Sequence, residues 1–242
     1  MADSRRPPIS DLRSTNRCLL YYITDRTAFP GDELTRCRRL LEKIAEAARA
    51  GVDYIQLREK DLSTRQLEAL AREAAEIADQ LGTENGERKT ALLINSRTDV
   101  ALAAHAAGVH LRSQDISPRE VREIWSRLSR ADPSVRQAPI LGVSCHSPAE
   151  VDRAAADAAT FAVFAPVFEK KDAPVRRPTG LAQLKEACKA SIPVLALGGV
   201  TVSNALSCLE AGAAGIAAIR LFQETQVASV VETLRNLKKS GS

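Results

Sequence analysis

The run Tyr54-Ile55-Gln56-Leu57-Arg58-Glu59-Lys60 carries the densest chemistry in the chain. With a period of two, Tyr54, Gln56, Arg58 and Lys60 share one face, and Ile55, Leu57 and Glu59 the other. Two cations and an amide on one face suit a phosphate or pyrophosphate, Arg58 offering a fork and Lys60 a point charge. The competing reading is a strand that runs out into a solvated charged loop over residues 58–61.

Further polar groups sit at the ends of other apolar runs. One run ends Asn95-Ser96-Arg97; another carries His110, then Arg112-Ser113-Gln114-Asp115. Asp115 suits a hard cation such as Mg²⁺ or the cap of a helix beginning near Ser117, and without a second nearby carboxylate the cap is the favoured use. His110 alternates with Val109 and Leu111 and suits a hydrogen-bonded core position as well as a catalytic one, while His105 reads as structural in an Ala-rich helix. In Gly142-Val143-Ser144-Cys145-His146-Ser147, alternation puts Ser144 and His146 on one face, where a neutral imidazole can take or give a proton near pH 7. Cys145 faces the other way, so no Cys-His nucleophile pair is expected. Residues 169–180 include Lys170, Lys171, Arg176 and Arg177 against Glu169 and Asp172, which reads as a lid-like loop or a plain solvated one. Gly198-Gly199 and the segment through Ala218, Ile219 and Arg220 are candidates for backbone contact with phosphate.

These groups need a scaffold that brings strand ends together. Strand-like runs cover residues 19–24, 53–57, 90–95, 108–111, 139–143, 160–164, 193–197 and 214–218. Most are β-branched or Leu-rich without polar alternation, as for strands buried on both faces. Amphipathic stretches between them cover residues 32–50, 63–81, 117–128, 147–156, 181–190 and 202–211, with Ser63, Ser117-Pro118, Ser147-Pro148 and Ser203 as starts. Successive strand starts lie about 28 residues apart, the spacing of a single (β/α)8 barrel. The count of eight and the lack of GxGxxG disfavour a doubly wound sheet. In such barrels the chemistry sits at the C-terminal strand ends, where the polar groups above fall, and the loops after strands seven and eight commonly bind phosphate.

Composition excludes other classes. The chain has 242 residues, 45% hydrophobic, and a formal charge of +4 from 34 basic and 30 acidic side chains, which are interspersed. A dedicated nucleic-acid binder would show a basic stripe. No apolar run approaches the length of about 18 residues of a membrane span. Residues 1–17 are polar and read as a disordered arm without the apolar core of a secretory signal, so a cytoplasmic protein is expected. Five cysteines without a CxxC pair read as small core residues.

In order, the chain shows YYITD (21–25), YIQLREKD (54–61), LLINSRTDVALA (92–103), AGVHL (107–111), LGVSCHSPAEV (141–151), PVLALGGVT (193–201) and EAGAAGIAAI (210–219). This ordered set resembles the thiamine phosphate synthase/TenI family over roughly residues 18–238, whose fold is also a (β/α)8 barrel. The resemblance implies a thiamine-biosynthesis enzyme acting on small phosphorylated pyrimidine and thiazole substrates, and it admits a homo-oligomer. In the synthase branch a hydroxymethylpyrimidine pyrophosphate loses pyrophosphate, and the thiazole phosphate nitrogen traps the cation. By motif, Gln56, Arg58 and Lys60 would bind pyrophosphate, Asn95 the pyrimidine, Asp115 Mg²⁺, and Gly199 with the backbone after Ala217 the thiazole phosphate. The chain departs from the synthase pattern at Ser96, where a second magnesium carboxylate is expected, at the shortened Glu169-Lys170-Lys171 loop, and at Arg112-Ser113-Gln114-Asp115. These departures resemble the TenI branch, which includes metal-free thiazole tautomerases with a proton-shuttling histidine matching His146. A barrel that binds such phosphates without turnover is the third reading.

Overall fold

A computed structural model describes residues 17–81, 90–133, 135, 138–169 and 178–239. Eight parallel strands close into a barrel in chain order. They are β1 (Leu19–Ile23), β2 (Tyr54–Leu57), β3 (Ala91–Asn95), β4 (Gly108–Leu111), β5 (Ile140–Cys145), β6 (Phe161–Phe164), β7 (Val194–Ala196) and β8 (Gly215–Ala218). Every expected run is a strand, with ends shifted by only a residue or two, the normal uncertainty of such boundaries. Around the barrel lie α1 (Glu33–Arg49), α2 (Thr64–Gln80), α3 (Thr98–Ala103), α4 (Pro118–Ala131), α5 (Pro148–Ala156), α6 (Gly180–Ala187), α7 (Ala205–Glu210), α8 (Arg220–Gln223) and α9 (Val227–Lys239). None of the described helices is long and apolar enough to cross a membrane.

Strand alternation sorts the apolar residues into two cores. Leu19, Tyr21, Ile23, Tyr54, Leu93, Phe161 and Leu195 fill the barrel, and their neighbours Leu20, Tyr22, Ile55, Leu92 and Ile94 pack outward under the helices. Inside, Tyr54 stacks on Phe161 with ring centroids 4.9 Å apart, and Tyr21 meets Phe161 edge-on at 5.4 Å. Gly142 is required here: a Cβ would stand 2.8 Å from the Phe161 ring and 2.9 Å from His110 Nδ1. Trp125 of α4 is the largest side chain buried under the helices.

Helix starts follow local chemistry. Ser63 and Ser117 form capping boxes with Gln66 and Glu120, and Ser147 accepts from the Glu150 amide. Ser203 does not cap; α7 begins after Asn204, and the Ser203 hydroxyl pairs with Thr201 at 2.9 Å. His105 is also not helical. It lies past the end of α3, exposed, at a φ of +52°.

The N-terminal ends of the strands are closed by an ion cluster in which one carboxylate joins two guanidinium groups. Asp53 accepts from Arg17 and from Arg235 of α9, each at 2.8 Å, and from the Leu20 amide at 2.8 Å. Arg17, expected in the arm, is thus part of this floor; residues 1–16 of that arm lie outside the described residues. All five cysteines are free thiols, with Cys18, Cys145 and Cys208 buried.

Candidate active site

The C-terminal strand ends gather most of the residues singled out by sequence. Gln56 points into the barrel, is 2% exposed, and donates from Nε2 to Asn95 Oδ1 at 2.7 Å. Asn95 in turn donates to Ser96 Oγ at 3.3 Å. One strand along, His110 is buried between Tyr21, whose hydroxyl is 3.0 Å from Nδ1, and Ser144, whose Oγ is 2.8 Å from Nε2. Burial lowers the His110 pKa to about 3, with the Asp115 charge opposing and Arg58 assisting. The imidazole is therefore neutral at pH 7, and His110 is the hydrogen-bonded core residue of the two uses open to it.

Above this polar layer the β2 extension splits its charges. Arg58 is half-buried and its charge reaches His110, while Lys60 is exposed and lines the pocket beside Asn95. The Lys60 pKa is lowered, first by Arg58, then by burial and Arg112. Glu59 and Asp61 go the other way. Arg26 Nη1 reaches Glu59 at 3.2 Å and Asp61 at 2.7 Å, Nη2 reaches Asp61 at 3.0 Å, and Nε reaches Glu33 at 2.6 Å. The stretch 58–61 is thus no solvated run, because half of it is tied into a buried network that includes Thr24.

A pocket of about 250 Å³ opens beside Asn95 and is lined by Lys60, Ser96, Arg97 and Arg112, with Glu59 at its edge. Arg97 is paired with Asp99 at 2.6 Å. Arg112 also lines a neighbouring pocket of about 200 Å³ that holds Asp115, Ser144 and Arg153, so its side chain divides the rim. Sequence reasoning did not single out Arg112 as a site residue, although it stands two positions after inward-facing His110, and the same period-two rule reaches it.

Asp115 caps no helix, contrary to the favoured use, because Ser117 performs that task. Its Oδ2 accepts from the Arg112 amide at 2.8 Å and its Oδ1 from Arg112 Nη2 at 2.9 Å. Burial raises the Asp115 pKa, and bonds from Arg112 and Ser96 outweigh that, leaving it lowered and the carboxylate ionised. Among the described residues no cluster of three or more His, Cys, Asp or Glu side chains has the arrangement of a metal site.

On the far side, His146 is half-buried with Nδ1 2.7 Å from the Ala165 carbonyl, a contact that puts the proton on Nδ1 and leaves Nε2 with its lone pair. Cys145 lies in the outer core as expected, its thiol pushed up to about 12 by burial and then by Glu150. Gly198 and Gly199 have φ of +97° and +65°. A Cβ on Gly199 would stand 2.6 Å from the Glu169 carbonyl, so the loop after β6 depends on this glycine as much as any ligand would. Across the mouth, Ala218 is buried and Ile219 caps α8, whose first amides have no partner within the helix. Arg220 is exposed, 4.0 Å from Glu224. Lys170 and Lys171, expected on the lid-like loop, lie outside the described residues.

Residues 20–222, most of the barrel, match the family described as thiamine monophosphate synthase. The chain belongs to that family. A putative thiamine-phosphate synthase 2 of Aquifex aeolicus is 38% identical over 206 residues, covering 85% of this chain and 97% of that protein. A thiamine-phosphate synthase of Roseiflexus castenholzii is 36% identical over 207 residues, covering 85% and 81%. The solved structure of a thiamine phosphate pyrophosphorylase from Pyrococcus furiosus superposes with a TM-score of 0.71 at 28% identity, covering 93% of this chain and 97% of that one.

Proposed function

We propose that the protein is a thiamine-phosphate synthase, a transferase that joins hydroxymethylpyrimidine pyrophosphate to thiazole phosphate and releases pyrophosphate. The observation that carries this reading is the excess of cations at the mouth. Lys60 and Arg112 line the pocket beside Asn95, Arg58 lies close enough for its charge to act on Lys60, and Asp115 pairs with Arg112, in a chain of this family. The C–O bond to the pyrophosphate breaks with its electron pair leaving on oxygen, and the thiazole nitrogen donates its lone pair to the methylene carbon. Arg58 and Lys60 lower the barrier by neutralising charge that grows on the leaving group. Asn95, oriented by the buried Gln56 amide, meets the pyrimidine, and Ser144 lines the mouth beside it. Gly198, Gly199 and the Ala218–Ile219–Arg220 turn take the thiazole phosphate through backbone amides.

Family membership agrees in general with a Mg²⁺ requirement. The donor set of this chain does not fit a magnesium site at Asp115. Mg²⁺ takes one or two carboxylates besides phosphate and water oxygens. Here Asp115 binds a guanidinium, and a serine hydroxyl, Ser96, stands in place of the second carboxylate. No step is therefore routed through a metal.

A tautomerase reading is favoured by one observation, the lone pair left on His146 Nε2 at the rim. The two activities separate cleanly in an assay of purified protein with both substrates. Formation of thiamine phosphate and pyrophosphate supports the synthase; proton exchange on the thiazole carboxylate without coupling supports the tautomerase. Under the synthase reading residues 18–242 act as one domain, in the cytoplasm, on small phosphorylated substrates and without nucleic acid.

A further inference from the structure

We propose that the Arg112 guanidinium, held by Asp115, stands in for a divalent cation at the β2–β4 rim, so that this site binds pyrophosphate without metal. The inference rests on the synthase reading and adds how the leaving group is neutralised.

Three observations carry it. First, the carboxylate expected to ligate a cation already has one. Arg112 Nε and Nη2 approach Asp115 Oδ1 at 3.2 and 2.9 Å, and the Arg112 amide holds Oδ2 at 2.8 Å. The loop closes on itself in an i,i+3 clasp that fixes the guanidinium plane. Second, the position beside that carboxylate is Ser96, a neutral hydroxyl in contact with Asp115, so a dication would meet one carboxylate already shared with arginine. Third, the pocket beside Asn95 is walled by Lys60, Arg97 and Arg112. The Lys60 pKa is lowered first by Arg58, then by burial, and last by Arg112, so the charges on this side of the rim repel one another. A Mg²⁺ ion placed there would be repelled by these cations, whereas a pyrophosphate of three or four negative charges would be drawn in.

The Arg112 side chain is 63% exposed and clasped on one edge only, which leaves its other N–H groups for phosphate oxygens. A guanidinium gives planar, paired hydrogen bonds to a phosphate, the geometry for which arginine is selected over lysine. The electron count of the coupling is unchanged by this replacement. The C–O bonding pair leaves on the pyrophosphate, the thiazole nitrogen supplies the new C–N pair, and no proton or electron is exchanged with Arg112.

The test is calorimetric titration of the purified protein with inorganic pyrophosphate, once in EDTA and once with saturating Mg²⁺, for wild type, Arg112→Met and Arg112→Lys. Exposure of this side chain allows the variants to fold, and circular dichroism checks that they do. Wild type is expected to bind in EDTA. Arg112→Met should weaken that binding about ten- to hundredfold, the worth of a charge-assisted hydrogen bond. Arg112→Lys should fall between them, because charge is kept and the fork is lost. In Arg112→Met, whose Asp115 is freed, Mg²⁺ should restore part of the loss. Wild-type binding that appears only with Mg²⁺, or an Arg112→Met variant equal to wild type in EDTA, overturns the inference and leaves the synthase reading intact. Absence of pyrophosphate binding in both conditions overturns both.

Discussion

Arg26 and Arg58 lie at the same end of the barrel and meet the same four-residue stretch, yet their surroundings are opposite. Arg26 is buried against three carboxylates, Glu33, Glu59 and Asp61. Arg58 and Lys60, alternating with two of those carboxylates in sequence, stay out of that network, and the charges of Arg58 and then Arg112 lower the Lys60 pKa. One region has more negative than positive charge and holds a guanidinium in a fixed frame. The other has a surplus of positive charge beside an open pocket. The contrast teaches that a cation's count in the sequence says little about its work; the matching of charge around it does. Carboxylates around a cation tie β1 to β2, and cations without such partners suit an anionic substrate.

The strongest way to break this contrast is to remove Arg26. Arg26→Met leaves Glu59, 4% exposed, without its buried partner and should destabilise the fold by about 3–5 kcal/mol, read by denaturant titration. A loss below about 1 kcal/mol would mean that the network is no frame at all. The mirror experiment is Arg58→Gln or Lys60→Gln. Each should change stability by less than about 0.5 kcal/mol, yet lower kcat/KM for coupling about a hundredfold, or about 3 kcal/mol of barrier. A stability loss as large as that of Arg26→Met would erase the distinction.

The polar layer below the mouth sharpens the comparison. Asn95→Ala should cost about 1–3 kcal/mol, because the buried Gln56 amide loses its partner. His110 adds a pH signature. Its pKa falls from 6.5 unfolded to about 3 folded, so between those values the unfolded chain takes up a proton that the folded one refuses. The stability it confers is full above pH 6.5 and is lost as pH falls towards 3, by at most about 1.4 kcal/mol per pH unit. His110→Gln should flatten that part of the profile in denaturant titrations at pH 7 and pH 5. The smallest effect is expected at His146, since ionisation of the pyrimidine ester needs no base. His146→Ala should alter coupling by less than about threefold, and a loss of 10²–10⁴-fold would point to a proton-transfer enzyme instead.

Much of this was legible in the residues. Strands buried on both faces show as continuous apolar runs, and period-two alternation correctly turned Gln56 and Ser144 inward and Cys145 outward. Serine caps followed by Gln66, Glu120 and Glu150 also announce themselves, since a cap bond spans only three residues. Contacts over longer separations did not. Arg26 and Glu59 are 33 residues apart and meet only because β1 and β2 pair. The Arg112–Asp115 clasp is short in sequence but depends on how a loop folds, and a loop has no periodicity to read. Ser203 misled for a similar reason, because the turn that starts α7 is organised by Asn204 accepting from Thr201.

The most direct test of the central claim is to mix purified wild-type protein with hydroxymethylpyrimidine pyrophosphate and thiazole phosphate and to measure thiamine phosphate and pyrophosphate together. Both products should appear in equal amounts, and Arg58→Gln, fully folded, should form them about a hundredfold more slowly. Wild-type protein that forms neither product, with or without Mg²⁺, while its fold is intact, would contradict that claim.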